Sequence, residues 1–184
     1  MAAPRACAID PANNPSQWGE ISALLPLLLR AAAGTRGTFV EIGALDGLRF
    51  SNSLLLERCY NFTGLLVEAM PSNAAKLMRS GRTAAKVHSA VCNSVSSVSM
   101  LASGNNAMHK MLLDNSTSHR KAVQVPCRPL QQLMREQAGL DQATFLSLDV
   151  EGAEEIVLAT VGESHASHSL PSPYPACAHV HTHC

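Results

Sequence analysis

The sequence predicts an α/β protein with three layers and a mostly parallel sheet. Three observations predict it. Short apolar runs alternate with helix-like segments from residue 38 to 92, in the order strand, helix, strand, helix, strand, and that alternation closes into a parallel sheet with right-handed crossovers. Two of the apolar runs, FVEIG at 39–43 and FLSLDVEG at 145–152, end in an acid followed by glycine. The 184 residues suit one domain, and an apolar content of 46% supplies its core, chiefly with aliphatic side chains because aromatics make up 4%.

Residues 1–17 are Pro-rich and aperiodic and read as a mobile arm. The stretch ISALLPLLLRAAAG, 21–34, is interrupted by Pro26 and Arg30 and falls short of the about 20 residues a bilayer requires. It also lies too far into the chain for a secretory signal, so it reads as an amphipathic helix near 18–32. GTFVEIG is a buried strand bounded by Gly37 and Gly43. Ser51 reads as the cap of a helix through SNSLLLERCY. GLLVEAMP is a second strand stopped by Pro71, with Ser72 capping a helix that Gly81 ends. AKVHSAVC, 85–92, is a third strand. Residues 94–127 read as an inserted hairpin or excursion, with 102–119 a long loop. RPLQQLMREQAG is a helix with Pro129 near its first turn and Gly139 past its end. TFLSLDVEG is a fourth buried strand and AEEIVLATVG opens the next helix. The domain therefore spans 18–162, and the Ser/Pro/His-rich 163–184 reads as a disordered tail.

Composition narrows the function. Lys plus Arg and Asp plus Glu each number 14, so no charge surplus points to nucleic acid or to an anionic membrane. Cysteines 7, 59, 92, 127, 177 and 184 form no CxxC pair and read as free thiols in a reducing compartment. That places the chain in the cytoplasm, with an organelle left open. The sequons at Asn61 and Asn115 read as chance matches, and no metal site is expected, His179, His181, His183 and Cys184 included.

In an open α/β sheet, ligands bind beyond the carboxyl ends of the strands, where strand order reverses. Strands one and four flank that point, which gathers Glu41, Asp46, Asp149 and Glu151 around one crevice. Glu68 ends strand two, 21 residues after Gly47, near the ~20-residue separation at which an acid holds ribose hydroxyls. Glycines at 43 and 47 would let the main chain approach a ligand that a Cβ excludes. Their G-x-x-x-G spacing lacks the dinucleotide fingerprint, which argues against a nicotinamide enzyme and for a nucleoside without pyrophosphate, S-adenosylmethionine being the candidate. The plainer alternatives are a ligand-free turn at the glycines, a solvated charge at Glu68, and helix capping by Asp149 and Glu151.

FVEIGALDGLRFSNSLLLE, GLLVEAMPSNAAKL, HSAVCN and FLSLDVEGAEEIVL, in that order, closely resemble the FkbM-like S-adenosylmethionine-dependent methyltransferases over roughly residues 37–160. The resemblance implies a Rossmann-like fold and O-methylation of a sugar or small-molecule hydroxyl. It implies that Glu41, Gly43 and Gly47 line the methionine end of the cofactor, that Glu68 holds the ribose, and that Ala69 or Met70 lies against adenine. It places Ala90, Val91 and Cys92 at the adenine edge, and Asp149 and Glu151 at the methyl-transfer centre, as base or as electrostatic partner. The family's sheet continues past strand four, so this chain is expected to lack the C-terminal strands. Strand four would then be an exposed edge inviting self-association. A non-catalytic methyltransferase-like binding module is the alternative.

Overall fold

The computed structural model describes residues 16–94, 96–102, 109–112, 122–150, 152–162 and 177–180. Five strands form an all-parallel central sheet: β1 (Thr38–Ile42), β2 (Thr63–Glu68), β3 (Ala85–His88), β8 (Phe145–Leu148) and β9 (Cys177–Val180), in the order β3-β2-β1-β8-β9. A second sheet runs β4 (Ala90–Val91), β7 (Ala122–Arg128), β5 (Ser96–Ala102), β6 (His109–Leu112), antiparallel except for the β4–β7 pair.

The alternation of side chains along a strand builds the layers. Phe39, Leu66 and Phe145 point to one face, where they meet Ile21 and Leu28 of α1 (Glu20–Ala31), Leu55 and Leu56 of α2 (Leu54–Tyr60) and Leu77 of α3 (Pro71–Met78). Their neighbours Val40, Leu65 and Leu146 point to the other face, against Leu130 and Leu133 of α4 (Leu130–Ala138) and Val157 of α5 (Glu154–Gly162). The result is a Rossmann-like three-layer fold with helices on both faces of a parallel sheet. Glu41, Glu68 and Ser147 share the parity of Phe39, Leu66 and Phe145, so these three polar side chains of β1, β2 and β8 fall on the α1–α3 face.

Several boundaries differ from the sequence reading. The 85–92 strand is two strands: Ser89 turns the chain, its N–H donating to Glu68 O and its hydroxyl approaching Pro126 O, and Ala90–Val91 then joins the second sheet. Pro71 is the first residue of α3 rather than a strand stop, and Met70, not Ser72, is its N-cap. Proline fits there because a first-turn N–H has no intrahelical partner to lose. Within the segment read as a loop, 109–112 pairs with β5; 103–108 and 113–121 lie outside the described residues. Ser16, read as part of the mobile arm, is buried, bridges to Phe50 and hydrogen-bonds the Asn52 side chain at 2.6 Å. The rest of the arm, 1–15, lies outside the described residues.

Two corrections concern the C-terminal part and the thiols. Residues Cys177–Val180, placed in the disordered tail by the sequence reading, form β9 and pair in parallel register with all of β8. The sheet thus continues past β8, and β8 is an interior strand paired on both sides, so among the described residues this edge of the sheet lies at β9. Cys92 and Cys127 are not free thiols. Pairing of β4 with β7 brings their Cα atoms to 5.8 Å across 35 residues of sequence, and they are disulfide-bonded; Cys59 is disulfide-bonded as well. Among the described residues no helix is long and apolar enough to cross a membrane, and no cluster of His, Cys, Asp or Glu could hold a metal ion.

Candidate active site

Strand order reverses between β1 and β8, since the chain adds β2 and β3 on one side of β1 before returning on the other. The carboxyl tips of these strands are in register, Ile42 opposite Leu148. The Asp149 N–H donates to Ile42 O at 3.0 Å, and the N–H groups of Gly43 and Ala44 both donate to Val67 O at 3.0 Å. Three strand tips are thereby tied at one point, and Asp149 and Glu68 stand on either side of the Gly43 corner.

The two glycines have a different reason from the one their spacing suggests. Gly43 has φ +85°, and a Cβ there would lie 1.8 Å from the Asp149 carbonyl oxygen. Gly47 has φ +79°, and its Cβ would lie 2.7 Å from Leu77 Cδ1. Each side chain's space is filled by the protein itself. The glycines allow β1 to close on β8 and the loop to close on α3.

Glu41, buried at 4% exposure, is an organising acceptor. Its Oε2 accepts from the hydroxyls of Ser51 at 2.8 Å and Ser53 at 2.5 Å, and its Oε1 accepts from Asn52 N–H at 2.8 Å. α2 begins at Leu54, later than a cap at Ser51 would start it; Ser51 gives its hydrogen to Glu41 while its oxygen accepts from Leu54 N–H at 3.2 Å. Asn52 Nδ2 extends the cluster to Ser147 Oγ on β8 at 3.0 Å. Asp46 shapes the outer loop by accepting from Leu48 N–H, Arg49 N–H and Arg49 Nε. Burial opposes its ionisation, but these bonds and the Arg49 charge together hold its pKa below the ordinary value.

Glu68 is also buried. Its Oε2 accepts from Leu45 N–H and its Oε1 from Met70 N–H, each at 2.8 Å. Leu45 has φ +53°, a left-handed conformation disfavoured for a side chain with a Cβ, which aims its N–H at the carboxylate. Burial pushes the Glu68 pKa up to about 7; the N–H bonds from Met70, Leu45 and Ala69 oppose the rise, and the nearby negative charge of Asp149 adds to it. The folded state therefore holds this proton more tightly than the unfolded chain, whose carboxyl has the ordinary 4.5. The stability this confers is complete below about pH 4.5 and is lost as pH rises through about 7, up to about 3 kcal/mol. Urea unfolding at pH 5 and pH 8 should show that loss in the wild type and a smaller one in Glu68→Gln; parallel pH profiles would rule it out.

Of the remaining predicted residues, Ala69 is half-buried and Met70 buried, and both pack with Ala90, Cys92 and Cys127 in one apolar cluster. Val91 packs instead with the α4–α5 side. Glu151 lies outside the described residues. The sequence reading missed Arg82 and Glu57. His88 Nε2–H donates to Ala69 O at 2.9 Å. Arg82 is buried and ion-paired to Glu57 at 2.8 Å. Burial works against the charge of Glu57, but Arg82 and the Thr83 hydrogen bonds outweigh it and lower its pKa. No local pattern marks Arg82; only its need for a buried acid partner could have hinted at it.

Strand order and layers define a Rossmann-like protein, an architecture in which ligands bind beyond the carboxyl ends of the strands where the order reverses. Residues 41–171 match the Methyltransferase FkbM domain. The chain belongs to the FkbM methyltransferase family and is a methyltransferase. No curated protein and no solved structure matches it.

Proposed function

We propose that this methyltransferase takes S-adenosylmethionine as its methyl donor and O-methylates a hydroxyl of a sugar or other small molecule. One observation carries the reading: two carboxylates, Glu68 and Asp149, stand at the tips of β2 and β8 on either side of β1, where the Gly43 N–H donates to Val67 O and the Asp149 N–H to Ile42 O, each at 3.0 Å. Like charges in a poorly solvated corner favour a ligand that brings positive charge and hydroxyl donors together. A sulfonium nucleoside does both, so the donor set fits it. Bound there, it would supply an electrophilic methyl group on a good leaving group.

The chain's own residues would do the rest. Glu68 would accept from the ribose through the acceptor capacity its three N–H partners leave. Ala69, Met70, Ala90 and the Cys92 end of β4 would form the apolar wall for adenine, with Val91 behind it. Glu41, Gly43 and Gly47 would act by holding the loop over the methionine end. Asp149 would face the transferring group with its negative charge, and Asp149 or Glu151 would take the acceptor's proton. Most of the rate would come from alignment of the acceptor and exclusion of water.

Calorimetric titration with S-adenosylmethionine, followed by a methyl-donor assay over sugar and small-molecule alcohols, tests this. Micromolar binding with turnover is the expected result, and Glu68→Ala should weaken binding at least tenfold. Asp149→Asn and Glu151→Gln identify the base as the variant that loses kcat while cofactor affinity holds. No binding would overturn the donor assignment, and binding without turnover would favour the non-catalytic module.

A further inference from the structure

We infer that Arg82 is a positioning residue for methyl transfer: from beneath the loop it fixes Gly47 and, through Ser51 and Ser53, the carboxylate of Glu41. This rests on the assignment of the 43–50 loop to the cofactor. A guanidinium carries five N–H donors in a planar fork and no acceptor. In Arg82, Nε donates to Glu57 Oε2 at 2.8 Å, Nη1 to Gly47 O at 2.6 Å and to Ser51 Oγ at 3.0 Å, and Nη2 to Ser53 Oγ at 2.8 Å. The fork lies over the Phe39 ring, 5.8 Å from its centroid.

The direction of each bond follows from donor and acceptor capacity. Arginine can only donate, so both serine oxygens act as acceptors toward it. Each hydroxyl keeps a single hydrogen, which goes to Glu41. Ser51 Oγ also accepts from Leu54 N–H at 3.2 Å. The chain of bonds thus runs one way, from Arg82 through two hydroxyls to a carboxylate on β1. Meanwhile Leu45, in the same loop, is held from the other side by Glu68. The loop is clamped on the β2 tip by a carboxylate and on α2 by an ion-paired cation. Lysine cannot replace that fork: it has three donors on a tetrahedral head and cannot reach four acceptors in one plane.

Two variants test this, Arg82→Lys, which keeps the charge opposite Glu57, and Ser53→Ala, which removes one hydroxyl link. Amide hydrogen exchange over residues 43–50 should quicken about tenfold or more in each, with β2 and β8 unchanged. S-adenosylmethionine affinity should fall about tenfold while the KM for the acceptor holds, a split that general loosening of the fold would not produce. Unchanged loop exchange and unchanged cofactor affinity in both variants would overturn the inference. If the wild type binds no S-adenosylmethionine, the donor assignment fails, and loop exchange alone decides the role of Arg82. If Arg82→Lys does not fold, Ser53→Ala decides it.

Discussion

Gly43→Ala is expected to lower folding stability by about 2–5 kcal/mol and to abolish methyl transfer. Two costs add at this position. A residue with a Cβ held at φ +85° loses about 1–2 kcal/mol relative to glycine. The new methyl would also stand 1.8 Å from the Asp149 carbonyl oxygen. That contact is with backbone, so no rotamer change relieves it, and forcing extra volume into a packed site costs about 1–3 kcal/mol. The only relief is to part β1 from β8, which breaks the Asp149 N–H to Ile42 O bond and moves Asp149 away from Glu68. Gly152→Ala is the control: its φ is +96° but nothing lies within 4 Å of its Cβ. It should show the conformational cost alone. Denaturant midpoints at constant m separate the two, and equal losses in the two variants would refute the steric argument.

Loss of the Cys92–Cys127 disulfide should destabilise the protein by about 4 kcal/mol, the loop-closure entropy expected when 35 residues separate the linked cysteines. The bond joins the ends of the parallel β4–β7 pair, only two residues long on β4. A pair so short supplies little stability of its own, so the cross-link is what holds it in register. Because Ala90, Cys92 and Met70 share one apolar cluster, its opening should also loosen the wall proposed for adenine. The double variant Cys92→Ser/Cys127→Ser isolates this bond from the one at Cys59. Its urea midpoint, with thiol counts on unfolded protein before and after reduction, checks the expectation. A midpoint equal to that of the wild type would show the cross-link to be dispensable.

The strands at the centre of the sheet were legible because burial on both faces leaves a direct mark in the chain, a short aliphatic run with a glycine near one end. Thr38–Ile42, Thr63–Glu68 and Phe145–Leu148 all carry it. The glycines of the first corner were legible as glycines that mattered, but not for their reason, since the Asp149 carbonyl that fills the space comes from more than 100 residues away. Ser51 looked like a helix cap because the local rule for serine is strong. Its oxygen does accept from Leu54 N–H, but its hydrogen, like that of Ser53, goes to Glu41, which the pleat of β1 places there. The break at Ser89 was hidden because both halves, Ala85–His88 and Ala90–Val91, are good strand sequence; which sheet each joins depends on partners far along the chain.

The sequence by itself determined the class of protein: the alternation of elements, the acid-bearing strand tips and the order of the motifs are local or nearly local properties, written in hydrophobic period and turn residues. Tertiary structure alone decided which groups those acids serve, that Arg82 joins them, that Cys92 meets Cys127, and that Cys177–Val180 extends the sheet beside β8. Such outcomes depend on distances between residues remote in the chain. A hydrogen bond, an ion pair or a disulfide forms only once packing has brought its partners within a few ångströms, and no local pattern carries that distance.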